Sequence, residues 1–153
     1  MLMRHVVVIV AVSSLLLWSG ALAYAQYDYG PPPARGQSGK TEAQLTTAID
    51  HAKFSAGSNA VNSAVGHLGH VLNCIEGTKG KNFNASWGHV CEGQGDGIVV
   101  DIRGAKNAGS VTLVLEAADS LAVAGVKTKD LGAVQNAARG VGALLQIVLN
   151  AAK

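Results

Sequence analysis

Val61-Asn62-Ser63-Ala64-Val65-Gly66-His67-Leu68-Gly69-His70-Val71-Leu72-Asn73-Cys74-Ile75-Glu76 is the stretch on which the fold turns. Val61, Ala64, Val65, Leu68, Val71, Leu72 and Ile75 recur at three and four residues, which is the period of one helix face. Gly77 stops the pattern. The same stretch carries the chain's most chemically suggestive side chains, so it predicts both an element and a site.

Working outward, three more stripes of this kind appear. Upstream, Leu45, Ala48, Ile49, Ala52 and Ala56 follow Thr41, a fair N-cap, and Glu42, an acid suited to a first turn. Gly57-Ser58-Asn59 reads as the turn into the Val61 helix. Downstream, Val111, Val114, Leu115, Ala118, Leu121 and Ala122 form a third stripe that ends at Gly125. Leu131, Val134, Ala138, Val141, Leu145 and Val148 form a fourth on a near-heptad seam, with Thr128 as its expected cap. Four amphipathic helices paired by short turns predict an all-α, up-down four-helix bundle. Gly66, Gly69, Gly132, Gly140 and Gly142 fall inside these helices, each at a cost of up to ~1 kcal/mol of helix propensity. Close helix approach over small side chains is the expected compensation.

Gly77 to Gly97 fits no period. It is rich in glycine and polar residues, with Phe83 and Trp87 as isolated aromatics, and reads as a long loop between helices 2 and 3. Loops of this length are usually functional or tied down. Ile98-Val99-Val100-Asp101-Ile102 has β-like composition without a partner strand, and is expected to be an extended entry to the third helix.

The N-terminus is of a different character. Residues 1–25 run from the basic Met1-Leu-Met-Arg4-His5 through an apolar core to Ala21-Leu22-Ala23-Tyr24-Ala25, the three-part pattern of a secretory signal peptide. The apolar run falls short of the roughly 20 residues a span needs. No second run of that kind stands out, so no stable membrane span is expected after signal removal. Residues 26–40, with Pro31-Pro32-Pro33 and several glycines, read as a flexible leader, and 41–153 as the domain. Export places the chain in the periplasm or outside the cell, an oxidising setting in which Cys74 and Cys91 permit one intramolecular bridge. That bridge would tether the 77–97 loop.

Charge narrows the partners. Of 12 basic side chains, loss of Arg4 leaves 11 against 10 acids. Such a balance has no basic footprint for nucleic acid. There is no Cys-x-x-Cys-His, which excludes covalent haem c by motif, and no Glu-x-x-His of the di-iron bundles. Gly93-Gln-Gly95 lacks the strand and helix of a phosphate cradle. No enzyme signature remains.

What remains is imidazole. His67, His70 and Cys74 at i, i+3 and i+7 lie within about 60° on one helix face, a spacing that can supply two or three ligands to one ion. His51 on the first helix and His89 in the loop can add imidazoles if the fold brings them near. The ligand type suits Cu, Zn or Ni. A bridged Cys74 would offer no thiolate.

Asp50-His51-Ala52-Lys53, with His67-Leu68-Gly69-His70 beyond it, resembles the His-Ala helical repeats of small periplasmic metal-binding proteins. That resemblance implies a helical bundle binding divalent metals such as copper. The two predicted helices after the loop carry no histidine, so what carries over falls on His51, His67 and His70. Asn73-Cys74-Ile75-Glu76-Gly77 with Cys91-Glu92-Gly93-Gln94-Gly95 is similar to a loop of uncharacterised exported bacterial helical proteins, which implies the pairing of the two cysteines. Two functions are therefore expected from different classes. One is sequestration of a divalent transition metal by His67, His70 and His51. The other is a non-catalytic interaction protein that meets an unknown protein partner through the 77–97 loop, with Phe83 and Trp87 as contacts or as the loop's anchors.

Overall fold

The computed structural model describes residues 38–105 and 107–153. The expected signal peptide (residues 1–25), nearly all of the expected 26–40 leader and Lys106 lie outside the described residues. Within them the chain is all-helical: α1 (Ser38–Gly57), α2 (Val61–Glu76), α3 (Ile98–Asp101), α4 (Ala108–Gly125) and α5 (Leu131–Ala152), with no strand among the described residues. The long helices α1, α2, α4 and α5 correspond to the four stripes. α1 packs on α2 and α5, α5 on α4, and α4 on α2.

The periodic residues face inward. Leu45, Ala48, Ala52, Ala64, Leu68, Leu72, Leu115, Ala118, Val134, Ala138, Val141 and Leu145 are buried in one cluster. A fully buried leucine contributes about 1.5–3 kcal/mol, and alanines between the leucines let helices come close. Gly142 on α5 faces Ala52 of α1 so closely that a Cβ there would stand 3.3 Å from the alanine Cβ. Gly140 meets Leu121 of α4 at 2.7 Å by the same measure. Gly66 does not follow this logic, because it faces open space.

Several boundaries differ from expectation. α1 begins at Ser38, and Thr41 is a buried residue of its first turns, not the cap. The first helical N–H groups need no intrahelical partner, so the polar Ser38-Gly39-Lys40 start is tolerated. α5 is capped by Asp130, whose side chain accepts from the Ala133 N–H at 2.7 Å. Thr128 sits two residues further out, its hydroxyl accepting from the Asp130 N–H at 3.2 Å.

The expected extended entry at Ile98–Ile102 is instead α3 followed by a 3₁₀ turn, Ile102–Gly104. Tertiary contacts override β propensity here. Ile98, Val99 and Ile102 are buried against α1 and α2. Asp101 accepts from the Gln44 amide of α1 at 2.6 Å and from the Asp96 N–H at 2.9 Å. Gln44 in turn accepts from the Gly97 N–H at 3.1 Å. These bonds occupy Asp101 structurally.

Among the described residues, α4 is long and apolar enough to cross a membrane by length and composition. Its buried side, Val111, Leu115, Ala118 and Ala122, belongs to the core cluster.

Candidate metal centre

α1 and α2 are joined by only Ser58-Asn59-Ala60. His51 stands six residues before the end of α1, and His67 six residues after the start of α2. Equal distances from a tight turn bring the two side chains level when the helices fold back on each other. The Ser55 hydroxyl, donating to the Ala64 carbonyl at 2.8 Å, locks that register. His70, one turn beyond His67, then lies on the same face.

The three imidazoles converge. Nδ1 of His51 is 3.2 Å from Nδ1 of His67 and 3.0 Å from Nδ1 of His70. One candidate ligand atom from each of the three lies within 4.8 Å of the others. Two Zn–N bonds of 2.0–2.1 Å at a tetrahedral angle separate their nitrogens by roughly 3.3 Å, so the spacing suits a shared ion. The metal-free arrangement is less well satisfied. Nδ1 of a neutral imidazole is either a donor or an acceptor, and His51 presents one such atom to two neighbours.

Electrostatics favour the ligating form. Burial, followed by His70 and then His67, lowers the pKa of His51, with Asp50 pulling weakly the other way. Burial and then His70 lower that of His67. Neutral imidazoles are what a metal binds. Phe54 forms one wall, its ring 5.4 Å from that of His51 and 5.5 Å from that of His67, while remaining 54% exposed.

The other expected candidates lie elsewhere. Cys74 and Cys91 are bonded to each other, so neither offers a thiolate. An intramolecular disulfide points to a non-cytoplasmic location. His89 stacks edge-on against Phe83 with centroids 5.5 Å apart and does not join the histidine cluster. Trp87 is half-buried, its ring lying over Gly69 so closely that a Cβ there would overlap it. Comparison with known protein families, curated proteins and solved structures finds no match to this chain. The reading of the site therefore rests on its own geometry.

Two features were not anticipated. Asn73 is fully buried and bonds the loop, although it lies well away from the apolar stripe centred on Leu68, so helix periodicity gave no sign of its burial. Glu76 is also buried, accepting from the Asn82 backbone N–H at 2.5 Å and from its side-chain amide at 2.6 Å. Asp119 of α4 hydrogen-bonds Glu76, and its pKa is raised to about 7 by burial, then by the Glu76 charge and this bond. Nothing in local sequence links positions so far apart.

Proposed function

We propose that this protein is a small exported protein that binds a divalent transition metal through His51, His67 and His70. The observation that carries the reading is the convergence of three Nδ1 atoms from two helices at 3.0 and 3.2 Å. Three neutral nitrogen donors suit Cu, Zn or Ni better than the hard oxygen-seeking cations. The activity is passive sequestration in the periplasm or outside the cell, after removal of residues 1–25, on an up-down bundle of the four long helices. The disulfide supports the compartment.

The alternative, a protein-contact loop over 77–97, has less behind it. Trp87 packs on α2, and Asn73 and Glu76 hold the loop's polar groups. These contacts favour Trp87 as an anchor.

Native mass spectrometry of the disulfide-bonded chain with copper, zinc and nickel added in turn tests the proposal. One ion per chain is expected at low micromolar metal, lost in His67→Gln/His70→Gln. A chain that takes up none of the three sinks it.

A further inference from the structure

The face of α2 that carries His70 is covered by a segment pinned at several points. Asn73 lies one turn beyond His70 and is 0% exposed. Its amide donates to the carbonyls of Asn84 at 2.8 Å and Gly88 at 2.7 Å. Its carbonyl oxygen accepts from the Asn84 N–H at 2.9 Å. The next residue, Cys74, is bonded to Cys91. Trp87 lies over Gly69. The segment from Asn84 to Cys91 is thus fastened to α2 on both sides of its own turn.

One consequence falls on the His70 ring. Gly88, at φ +84°, brings its backbone up to the ring, and a Cβ there would sit 3.6 Å from Nε2 of His70. The other ring nitrogen, Nδ1, lies 3.0 Å from Nδ1 of His51. An imidazole can ligate through either nitrogen, and a ring flip exchanges which one faces a given point. Here the loop stands at one edge and the histidine cluster at the other.

We infer that the tethered loop positions His70, with Asn73 and Gly88 as positioning residues: it holds the ring with Nδ1 toward His51 and Nε2 toward Gly88, and so sets both the ligating atom and the strength of the site. The affinity half of this inference rests on the metal reading, whereas the ring orientation does not. Outer-shell partners that orient a ligating histidine typically change metal affinity 10–100-fold, because a ring free to rotate must be ordered when the ion binds. The site draws on α1 and α2, and the disulfide-closed loop gives α2 a second support.

The test separates positioning from general stability. In the disulfide-bonded chain, Asn73→Ala removes the three bonds that this side chain makes to the loop and leaves every proposed ligand in place. Zinc affinity should fall by about tenfold or more. The same change in a His70→Gln background should have no effect on the residual affinity of His51 and His67, since a double-mutant cycle isolates what acts through His70. An equal loss in both backgrounds overturns the inference. Nuclear magnetic resonance supplies the metal-free readout: cross-relaxation between the Gly88 α protons and the His70 ring should be present in the parent and lost in Asn73→Ala. On adding zinc, the ¹⁵N shift of Nδ1 of His70 should move, and a shift of Nε2 instead overturns the inference. A parent chain that keeps the Gly88 contact yet takes up no zinc overturns the metal reading alone. One that binds zinc without the contact overturns the positioning alone. If Asn73→Ala does not fold, Cys74→Ala/Cys91→Ala releases the same segment and is read in the same way.

Discussion

Nδ1 of His70 lies 3.0 Å from Nδ1 of His51, across the interface between two helices. The proposed metal site draws one donor from each, together with His67. Each imidazole nitrogen must be deprotonated to ligate, so the pair makes metal binding a function of pH.

The sign follows from the direction of the shifts. His51 and His67 are both held below the usual 6.5, chiefly by burial. Zinc affinity should be highest at the alkaline end and fall as the pH drops from 8 through these lowered values. The metal-free fold should follow the same direction. Stability contributed by a depressed imidazole is present above its unfolded pKa and lost as pH falls through the folded one. Zinc titrations and thermal melts between pH 8 and 4.5 check both, and an affinity unchanged down to pH 4.5 would contradict the assignment.

Asp119 should act in the opposite sense. Its pKa is raised from 3.8 to about 7. Its stabilising contribution is fully present below the unfolded value of 3.8 and is lost as pH rises through about 7. Asp119→Asn removes the titration, so the difference in melting temperature between parent and variant should shift in the variant's favour from pH 4 to pH 8. A difference independent of pH would refute the assignment.

Gly69→Ala tests the anchor of the loop. The added Cβ would overlap the Trp87 ring, and overpacking of this kind typically costs 1–3 kcal/mol. The expected outcome is a lower denaturation midpoint with a red-shifted Trp87 fluorescence as the ring is displaced into water. Trp87 is the only tryptophan after residue 25, so the emission is unambiguous in a chain lacking residues 1–25. Unchanged emission would show that the ring is not seated there.

Reduction of the disulfide should destabilise the domain. The bond closes a loop between residues 17 apart in sequence, worth roughly 3 kcal/mol by the chain-entropy model. Urea denaturation with and without a reductant measures it. A midpoint unmoved by reduction would mean that Asn73 and Glu76 hold the loop unaided.

Much of this was legible locally. The stripes through Leu68 and Val141 specified helices because a 3.6-residue period is a property of neighbouring residues alone. The same arithmetic put His67 and His70 on one face. Gly77 marked a helix end, and two cysteines in a chain with an export-like start marked a bridge. Where the reading failed, the deciding partner was remote. Ile98–Asp101 is helical because Gln44 holds Asp101 and because α1 and α2 bury its aliphatic side chains, overriding a β-like composition. Asp130 displaced Thr128 as cap through geometry at the helix start, where several polar residues compete. His51 joined the cluster, and His89 did not, by the way α1 and α2 fold back on each other and by the course of the loop. Asn73 against Gly88 and Glu76 against Asp119 likewise exist only once the chain has closed on itself. Sequence by itself determined the elements, since helix periodicity and spacing are local. Tertiary structure decided the site, since a ligand set needs donors a few ångströms apart, and that distance is set by packing between elements.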